Sequence, residues 1–383
     1  MDRRSIGAHE LQAIDGERGA AVVRAVRQTS PTLADALTEF AFGQIFCKAE
    51  LGRRERELAT VAILGAIGGA ETQLRVHLGA ALRSGVDPDE LTALCEHLAP
   101  YAGIPRALNV LREVRVLIEE LDIVRPRPAR RLNLGDHETV FSDTGQGEPY
   151  ILIHLLGADW RVWRDVIPSL AEAYRVIAYD LRGHGYASNA PKVEAMQTYV
   201  DDLARLLDEL NLRKVRIGGL SLGGCVAQMF ALQHPDRVLS LALLSTMEQG
   251  SPDLYAAFAE AAEREGMAVQ VPTFLLRWLT PEIVAENNWY VRYLRERIIR
   301  SQVANWAAAW RVLATFDAAG RIEELRIPTH VIAAEGDGQT TGLQGMKAIA
   351  DRIPNAKYSI IAGAPHLSPL VKPHEVATLL AHS

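Results

Sequence analysis

Val215-Arg-Ile-Gly-Gly-Leu-Ser-Leu-Gly-Gly-Cys-Val-Ala-Gln-Met-Phe-Ala-Leu-Gln233 is the stretch on which the reading of this chain turns. A short β-rich segment (215–218) passes through Gly219-Leu-Ser-Leu-Gly223 into an apolar helical segment (224–233). The glycines allow a sharp turn between strand and helix, which lifts Ser221 out at the helix N-terminus. A G-x-S-x-G pattern recurs by chance; the strand–turn–helix setting is what gives it meaning. A serine hydroxyl is a poor nucleophile until a base takes its proton, and that base needs an orienting acid. For a serine mounted in this way, the acid and then the histidine follow in chain order.

Outward from this stretch, short β-rich runs alternate with helical ones. Thr139-Val-Phe, Tyr150-Ile-Leu-Ile-His, Arg175-Val-Ile-Ala-Tyr, Leu241-Ala-Leu-Leu, Thr329-His-Val-Ile-Ala-Ala and Tyr358-Ser-Ile-Ile read as strands, and 199–210 as a helix. Such alternation predicts a mainly parallel sheet covered on both faces. A helical block at about 251–316 interrupts it and reads as a lid over the C-terminal edge of the sheet. Four of the six tryptophans lie there (Trp278, Trp289, Trp306 and Trp310), either as lid core or as pocket lining. The acid required by Ser221 is found in Glu335-Gly-Asp-Gly338, just past a strand end, with Asp337 as first choice and Glu335 as the alternative. The base is His366, in the loop after the last strand; its bland reading is a solvated loop histidine. Two backbone N–H groups must meet the developing oxyanion. Leu222, following the serine, and Leu156, in the loop after Tyr150–His154, are the expected donors. Trp160, Trp306 and Arg161 are candidate substrate-binding residues, Arg161 being the cation that could hold a substrate carboxylate.

The segments His154-Leu-Leu-Gly-Ala-Asp-Trp-Arg-Val-Trp163, Tyr179-Asp-Leu-Arg-Gly-His-Gly185, 218–224 and His234-Pro-Asp-Arg-Val238 resemble, in order, the α/β-hydrolase superfamily, and within it the 3-oxoadipate enol-lactone hydrolases. The resemblance runs from about 132 to 381. It implies an α/β-hydrolase fold that cleaves a small-molecule lactone or ester through an acyl-enzyme, with Ser221, Asp337 and His366 as the triad and no metal or organic cofactor. His184 and His234 belong to fold-wide motifs and read as structural. Two departures concern the substrate: His154-Leu155 stands where His-Gly or Asn-Ser is usual, and Gln339-Thr-Thr where a proline-containing run follows the acid.

Residues 15–123 carry a different signal. Leu58, Val61, Ala62, Gly65 and Ala66 keep helical spacing, as do Val76, Leu78, Ala81 and Leu82. Gly85 reads as a helix stop and Asp87-Pro88 as a capped restart; a further helix is expected over 106–120. Val124-Arg-Pro-Arg-Pro-Ala-Arg-Arg131 ends this regime and reads as an exposed linker. The expected organisation is therefore an all-α domain (1–123), a linker (124–131) and an α/β domain (132–383). Residues 40–117 resemble the carboxymuconolactone decarboxylase family, through Phe42-Gly-Gln-Ile-Phe, Leu51-Gly-Arg-Arg-Glu-Arg-Glu-Leu58, Gln73-Leu-Arg-Val-His77 and Tyr101-Ala-Gly-Ile-Pro105. That resemblance implies a homo-oligomer formed through the helical domain. A related branch uses a CxxC pair before a histidine; here Ala70 and Gln73 precede His77, which excludes disulfide-based peroxidase chemistry. Glu57 and His77 remain as an acid–base pair able to protonate the carbon left electron-rich when CO₂ departs. Their bland readings are an ion pair of Glu57 with Arg53 or Arg54 and a histidine satisfying hydrogen bonds in the core. Glu71 and Arg75 are nearby charges expected on a solvated face.

A net charge of −6 gives no electrostatic footprint for nucleic acid. Three scattered cysteines support neither a disulfide framework nor a zinc site, and no apolar run is long enough for a membrane span. A cytoplasmic protein is expected. Two readings of function follow. One is a fused decarboxylase and enol-lactonase, since the two resemblances name consecutive steps; against it, the familiar fusion places the hydrolase first, and Phe42 and Phe46 stand where decarboxylases carry tryptophan. The other is a lactonase or esterase for a different scaffold, with the helical domain serving oligomerisation. A ligand sensor on an inactive hydrolase scaffold is a third.

Overall fold

The computed structural model describes residues 2–86, 88–121, 130–338 and 342–383, excluding the side chains of Asp15 and Arg18. The chain divides into two compact units, Met1–Val124 and Arg125–Ser383.

Every described element of the first unit is helical: α1 (Arg3–Thr29), α2 (Pro31–Asp35), a π-helical segment (Ala36–Phe46), α3 (Arg53–Ile67), α4 (Glu71–Arg83), α5 (Pro88–Ala102) and α6 (Ile104–Glu120). The spacing read from the sequence is the spacing of its core. Val61 of α3, Leu74, Leu78 and Ala81 of α4, Leu91 and Leu98 of α5, and Val110, Val114 and Leu117 of α6 are all buried against one another. Gly85 follows α4 at φ 86°, a stop that an L side chain would resist. Pro88 opens α5, while the capping Asp87 lies outside the described residues. The last helix starts at Ile104, two residues earlier than expected, because Pro105 sits in its first turn where no N–H partner is needed. The π-helical winding was not expected; Phe42 and Phe46 still meet there, with ring centroids 5.0 Å apart.

The second unit is an α/β sandwich. Its sheet has the strand order β1-β2-β4-β3-β5-β6-β7-β8 among the described residues. The strands are β1 (Arg130–Asn133), β2 (Glu138–Thr144), β3 (Pro149–Ile153), β4 (Arg175–Tyr179), β5 (Val215–Leu220), β6 (Val238–Leu244), β7 (Thr329–Ala334) and β8 (Lys357–Ile361). From β4 to β8 every pairing is parallel, and β1 and β2 form an antiparallel edge. Helices α7 (Ile167–Leu170), α8 (Met196–Glu209), α9 (Leu222–Gln233), the lid helices α10 (Pro252–Glu265), α11 (Met267–Trp278), α12 (Pro281–Glu286), α13 (Trp289–Arg300) and α14 (Val303–Ala314), and then α15 (Gly342–Arg352), α16 (Ser368–Val371) and α17 (Pro373–Ala381), complete it. Strands β3 to β7 are apolar and buried nearly end to end, as strands covered on both faces must be.

The linker expected at 124–131 lies outside the described residues except for Arg130 and Arg131, and these two belong to β1. Their charges are met across the hairpin. Arg130 pairs with Asp143 and lies over the Phe141 ring, and Arg131 reaches Glu138 at 3.4 Å. Among the described residues no helix is long and apolar enough to cross a membrane.

Leu241, fully buried on β6 between Ile217 and Thr329, tests this architecture. Leu241→Ala is expected to cost about 2–5 kcal/mol through lost burial and the cavity left behind. All six tryptophans lie between 160 and 310, so their fluorescence during urea unfolding reads the second unit alone. A loss below about 1 kcal/mol would contradict a central β6.

Candidate active site

Ser221 sits between β5 and α9 at φ 54° and ψ −115°. This is a backbone conformation costing on the order of 1–3 kcal/mol for a residue with a side chain. Its N–H donates to the Leu244 carbonyl (3.0 Å), and its own carbonyl accepts from Gly224 N–H (2.9 Å), Cys225 N–H (3.1 Å) and Thr246 Oγ1 (2.7 Å). The glycines around it are required by contact as much as by turning. A Cβ on Gly219 would stand 2.3 Å from the Gly223 carbonyl oxygen, and one on Gly223 2.2 Å from that of Ile153. The helix is thereby seated directly against the end of β3.

Asp337 and His366 arrive on the loops after β7 and β8. The loops are zipped together by Gly336 N–H donating to the Ala364 carbonyl (2.8 Å). His366 Nδ1 lies 2.8 Å from Asp337 Oδ2, and both side chains are buried. The alternative acid, Glu335, is exposed and accepts Gly363 N–H at 2.8 Å, which makes it a loop cap. Ser221 and His366 line one narrow cavity with Leu155, Leu156, Met247, Tyr255, Arg277, Trp278 and Trp310, of about 10 Å³. Leu222 is the first residue of α9, where helix N–H groups have no intrahelical acceptor. The N–H groups of Leu156 and Leu222 have no acceptor among the described residues. His154 organises the loop that bears Leu156. Its Nε2 accepts Leu181 N–H (2.9 Å), so Nδ1 carries the proton and donates to the Leu155 carbonyl (2.7 Å). Burial, and then the neighbouring His184, push the His154 pKa down to about 3; burial pushes that of His184 down to about 4.

The first unit holds a separate polar pair. His77 Nδ1, on α4, lies 2.8 Å from Oε2 of the fully buried Glu57, on α3. Arg53 and Arg54 pair with Glu10 and Glu90 instead, so the surface ion pair considered for Glu57 does not form. Oε1 of Glu57 has no hydrogen-bond partner among the described residues. His77 lines a cavity of about 350 Å³ whose other walls are mainly apolar, including Leu11, Val23, Val26, Leu37, Phe42 and Val76. Glu71 and Arg75 are outside this pair: Glu71 accepts Gly69 N–H at the helix start, and Arg75 bonds Glu120.

Residues 149–373, more than half of the chain, match the alpha/beta hydrolase fold family. The chain belongs to that family. Residues 31–115 match the carboxymuconolactone decarboxylase family. The hydrolase is 28% identical over 221 residues to 3-oxoadipate enol-lactonase 1 of Acinetobacter baylyi, covering 57% of this chain and 82% of that protein. Among solved structures it is similar to a thermophilic esterase from Thermogutta terrifontis with malate bound (TM-score 0.61, 29% identity, 66% of this chain and 97% of that one). It shares its fold with the enol-lactonase from Burkholderia xenovorans (TM-score 0.63, 24% identity, 66% and 98%).

Within the hydrolase, the substrate-binding residues expected from sequence need correction. Arg161 does not face Ser221. Asp159 clamps its guanidinium (3.1 and 2.7 Å), and it lines a second cavity of about 340 Å³ with Arg297, Arg300 and Tyr186. Trp160 is half-buried, packs against the core and donates its backbone N–H to Asp180. Trp306 is buried behind the wall, against Gly157, Phe274 and Trp310. The cavity residues are instead Trp278 and Trp310, already among the lid tryptophans, and Arg277, which was not foreseen. Its only signal in the sequence was a basic residue beside Trp278 in the last turn of a lid helix.

Because His154 and His184 fold with pKa values below 6.5, the unfolded chain binds protons that the folded chain does not. The stability they confer is present above pH 6.5 and is lost as pH falls through about 4 for His184 and about 3 for His154. The urea midpoint is expected to decline over that window. His154→Gln should lower it at pH 7 but flatten the decline; a decline of unchanged steepness would remove His154 from the account.

Proposed function

We propose that the second unit is a serine-dependent hydrolase of lactones or esters, with 3-oxoadipate enol-lactone as the substrate its relatives point to. The observation carrying this reading is that Ser221 and His366, the latter bonded to Asp337, border one cavity, with the N–H groups of Leu156 and Leu222 without acceptors among the described residues. Ser221 Oγ passes its proton to His366 Nε2 as it bonds to the carbonyl carbon. The negative oxygen is received by the Leu156 and Leu222 N–H groups. Collapse breaks the carbon–oxygen bond of the lactone or ester, and His366 protonates the departing oxygen. Water then gives a proton to His366 and attacks the acyl carbon; Ser221 leaves and recovers the proton, and the free acid is released. Asp337 holds the Nδ1 proton and balances the imidazolium. Ser221→Ala is expected to lower kcat at least about 10³-fold on a chromogenic ester. Asp337→Asn should lower it about 10²–10⁴-fold and Glu335→Gln should not. The opposite order would move the acid to Glu335.

We propose further that the first unit is a decarboxylase whose product is the hydrolase's lactone. Glu57 and His77, bonded at the edge of an apolar cavity, are chemically suited to it: the C–C electrons released with CO₂ are captured by a proton from this pair. Incubation with γ-carboxymuconolactone tests the coupling. Wild type is expected to evolve CO₂, Ser221→Ala to stop at the enol-lactone, and His77→Ala to release none. One feature favours a second reading: no Lys or Arg is among the described residues bordering that cavity, although the compound is an anion. If wild type leaves it untouched yet hydrolyses esters through Ser221, the natural lactone or ester has another scaffold. The first unit then serves assembly of a homo-oligomer, for which exposed Ile63, Ile67, Tyr101, Ile104 and Leu108 offer apolar surface.

A further inference from the structure

We infer that Arg277 anchors a free carboxylate of the substrate, so that this hydrolase acts on lactones and esters bearing an acid group away from the bond that is cleaved. The inference rests on Ser221 being the nucleophile. Four observations lead to it. First, Arg277 is the one Lys or Arg among the described residues bordering the cavity shared by Ser221 and His366; Leu156, Met247, Trp278 and Trp310 make most of the remaining wall apolar. Second, it forms no ion pair among the described residues, in contrast to Arg161, which Asp159 clamps at 2.7 Å. Its guanidinium instead lies over the Phe258 ring, 5.1 Å from the centroid. Third, burial pushes its pKa down, against the pull of Tyr255 and Asp337. A partly buried guanidinium without a carboxylate bears a desolvation cost that an arriving carboxylate offsets. Fourth, its place is registered to the reacting groups. The Trp278 carbonyl, next in the chain, accepts the N–H of Leu367 at 3.3 Å, which ties the end of α11 to the residue after His366.

Two plainer roles account for less. A cation in the last turn of α11 is favoured by the helix dipole, but that would be served equally by an arginine facing solvent. Support of the Asp337 charge is the other; it would act on every substrate alike, whereas an anchor acts only on acidic ones. A planar fork suits a carboxylate, and the apolar residues that line the cavity with Arg277 and Ser221 suit a short hydrocarbon spacer. The substrate class is thus an amphiphilic acid: carbonyl at the serine, carboxylate at the lid.

The full-length protein is to be assayed with mono-4-nitrophenyl adipate and with the neutral 4-nitrophenyl hexanoate, and the ratio of their kcat/KM values taken. Wild type is expected to favour the acid ester. Arg277→Met should lower the ratio about 10- to 100-fold, mostly through KM of the acid ester, and Arg277→Lys should restore part of it. Adipate should inhibit hexanoate hydrolysis competitively in wild type. Partial unfolding of a variant lowers both rates and leaves the ratio unchanged, so the ratio reads the anchor. An unchanged ratio in both variants, or a wild type without preference for the acid ester, overturns the anchor. Ester hydrolysis that persists in Ser221→Ala would instead overturn the nucleophile, whatever the ratio shows.

Discussion

The crowding of backbone against backbone at Ser221 is the constraint on which the hydrolase unit is built. Gly223 has no Cβ because the Ile153 carbonyl occupies that space, and Gly219 has none because the Gly223 carbonyl occupies it. The N-terminus of α9 therefore abuts the end of β3. The loop leaving β3, which carries Leu156, has to depart from the sheet beside the N–H of Leu222. One close contact fixes both the φ of 54° at Ser221 and the neighbourhood of the two free N–H groups. A strain on the order of 1–3 kcal/mol is sustained because the surrounding parallel strands over-determine the turn. His154 completes the arrangement from below: a neutral imidazole bonded at both nitrogens joins the β3 exit loop to Leu181, at the end of β4. The Leu181 N–H requires an unprotonated Nε2, so this bond and burial both favour the neutral ring.

Much of this was legible because it depends on local order along the chain. A buried parallel strand is a short apolar run, and its loop follows at once; Ser221, Asp337 and His366 could each be located by counting from such a run. Glu57 and His77 were reached differently, as an acid and a base within the decarboxylase resemblance on two separate predicted helices; their 2.8 Å contact is a matter of packing. What resisted reading depends on partners distant in sequence or on local chemistry that mimics something else. The strand β1 has no apolar alternation, and exists because Asp143, Phe141 and Glu138 meet the charges of Arg130 and Arg131. In isolation the same residues read as an extension of a proline-rich linker. The π-helical winding at 36–46 leaves Phe42 and Phe46 in contact, as an α-helix would, so the pattern does not betray it.

The two arginines show why binding residues are harder to read than catalytic ones. Arg161 lies in a loop whose sequence points to the active site, yet Asp159, two residues earlier, bonds its guanidinium and turns it towards another cavity. Arg277 lies in an unremarkable basic last turn, yet α11 ends against Leu367 and brings it to the cavity of Ser221. Composition near a motif did not decide which cation was available. Availability depends on whether a carboxylate already holds the side chain, and that is settled by tertiary contacts.

A final constraint comes from the volume of the cavity. At about 10 Å³ it has the size needed for a single water, the second reactant of a hydrolysis, and far less than any ester needs. An ester or lactone bound beside Ser221 would require lid side chains to move. The lid is not uniformly free to yield: the end of α11 is bonded to Leu367, and a shift there would carry the segment after His366 with it. Trp310 of α14 and Tyr255 of α10 have ring centroids 5.1 Å apart, and Trp310 packs in turn on Phe258 of α10 and on Phe274 of α11 itself. Ring contacts of this kind contribute about 0.5–1.5 kcal/mol each beyond the area they bury. The tie at Leu367 and the aromatic wall meet in α11, because Phe274 lies on the same helix as Arg277 and Trp278.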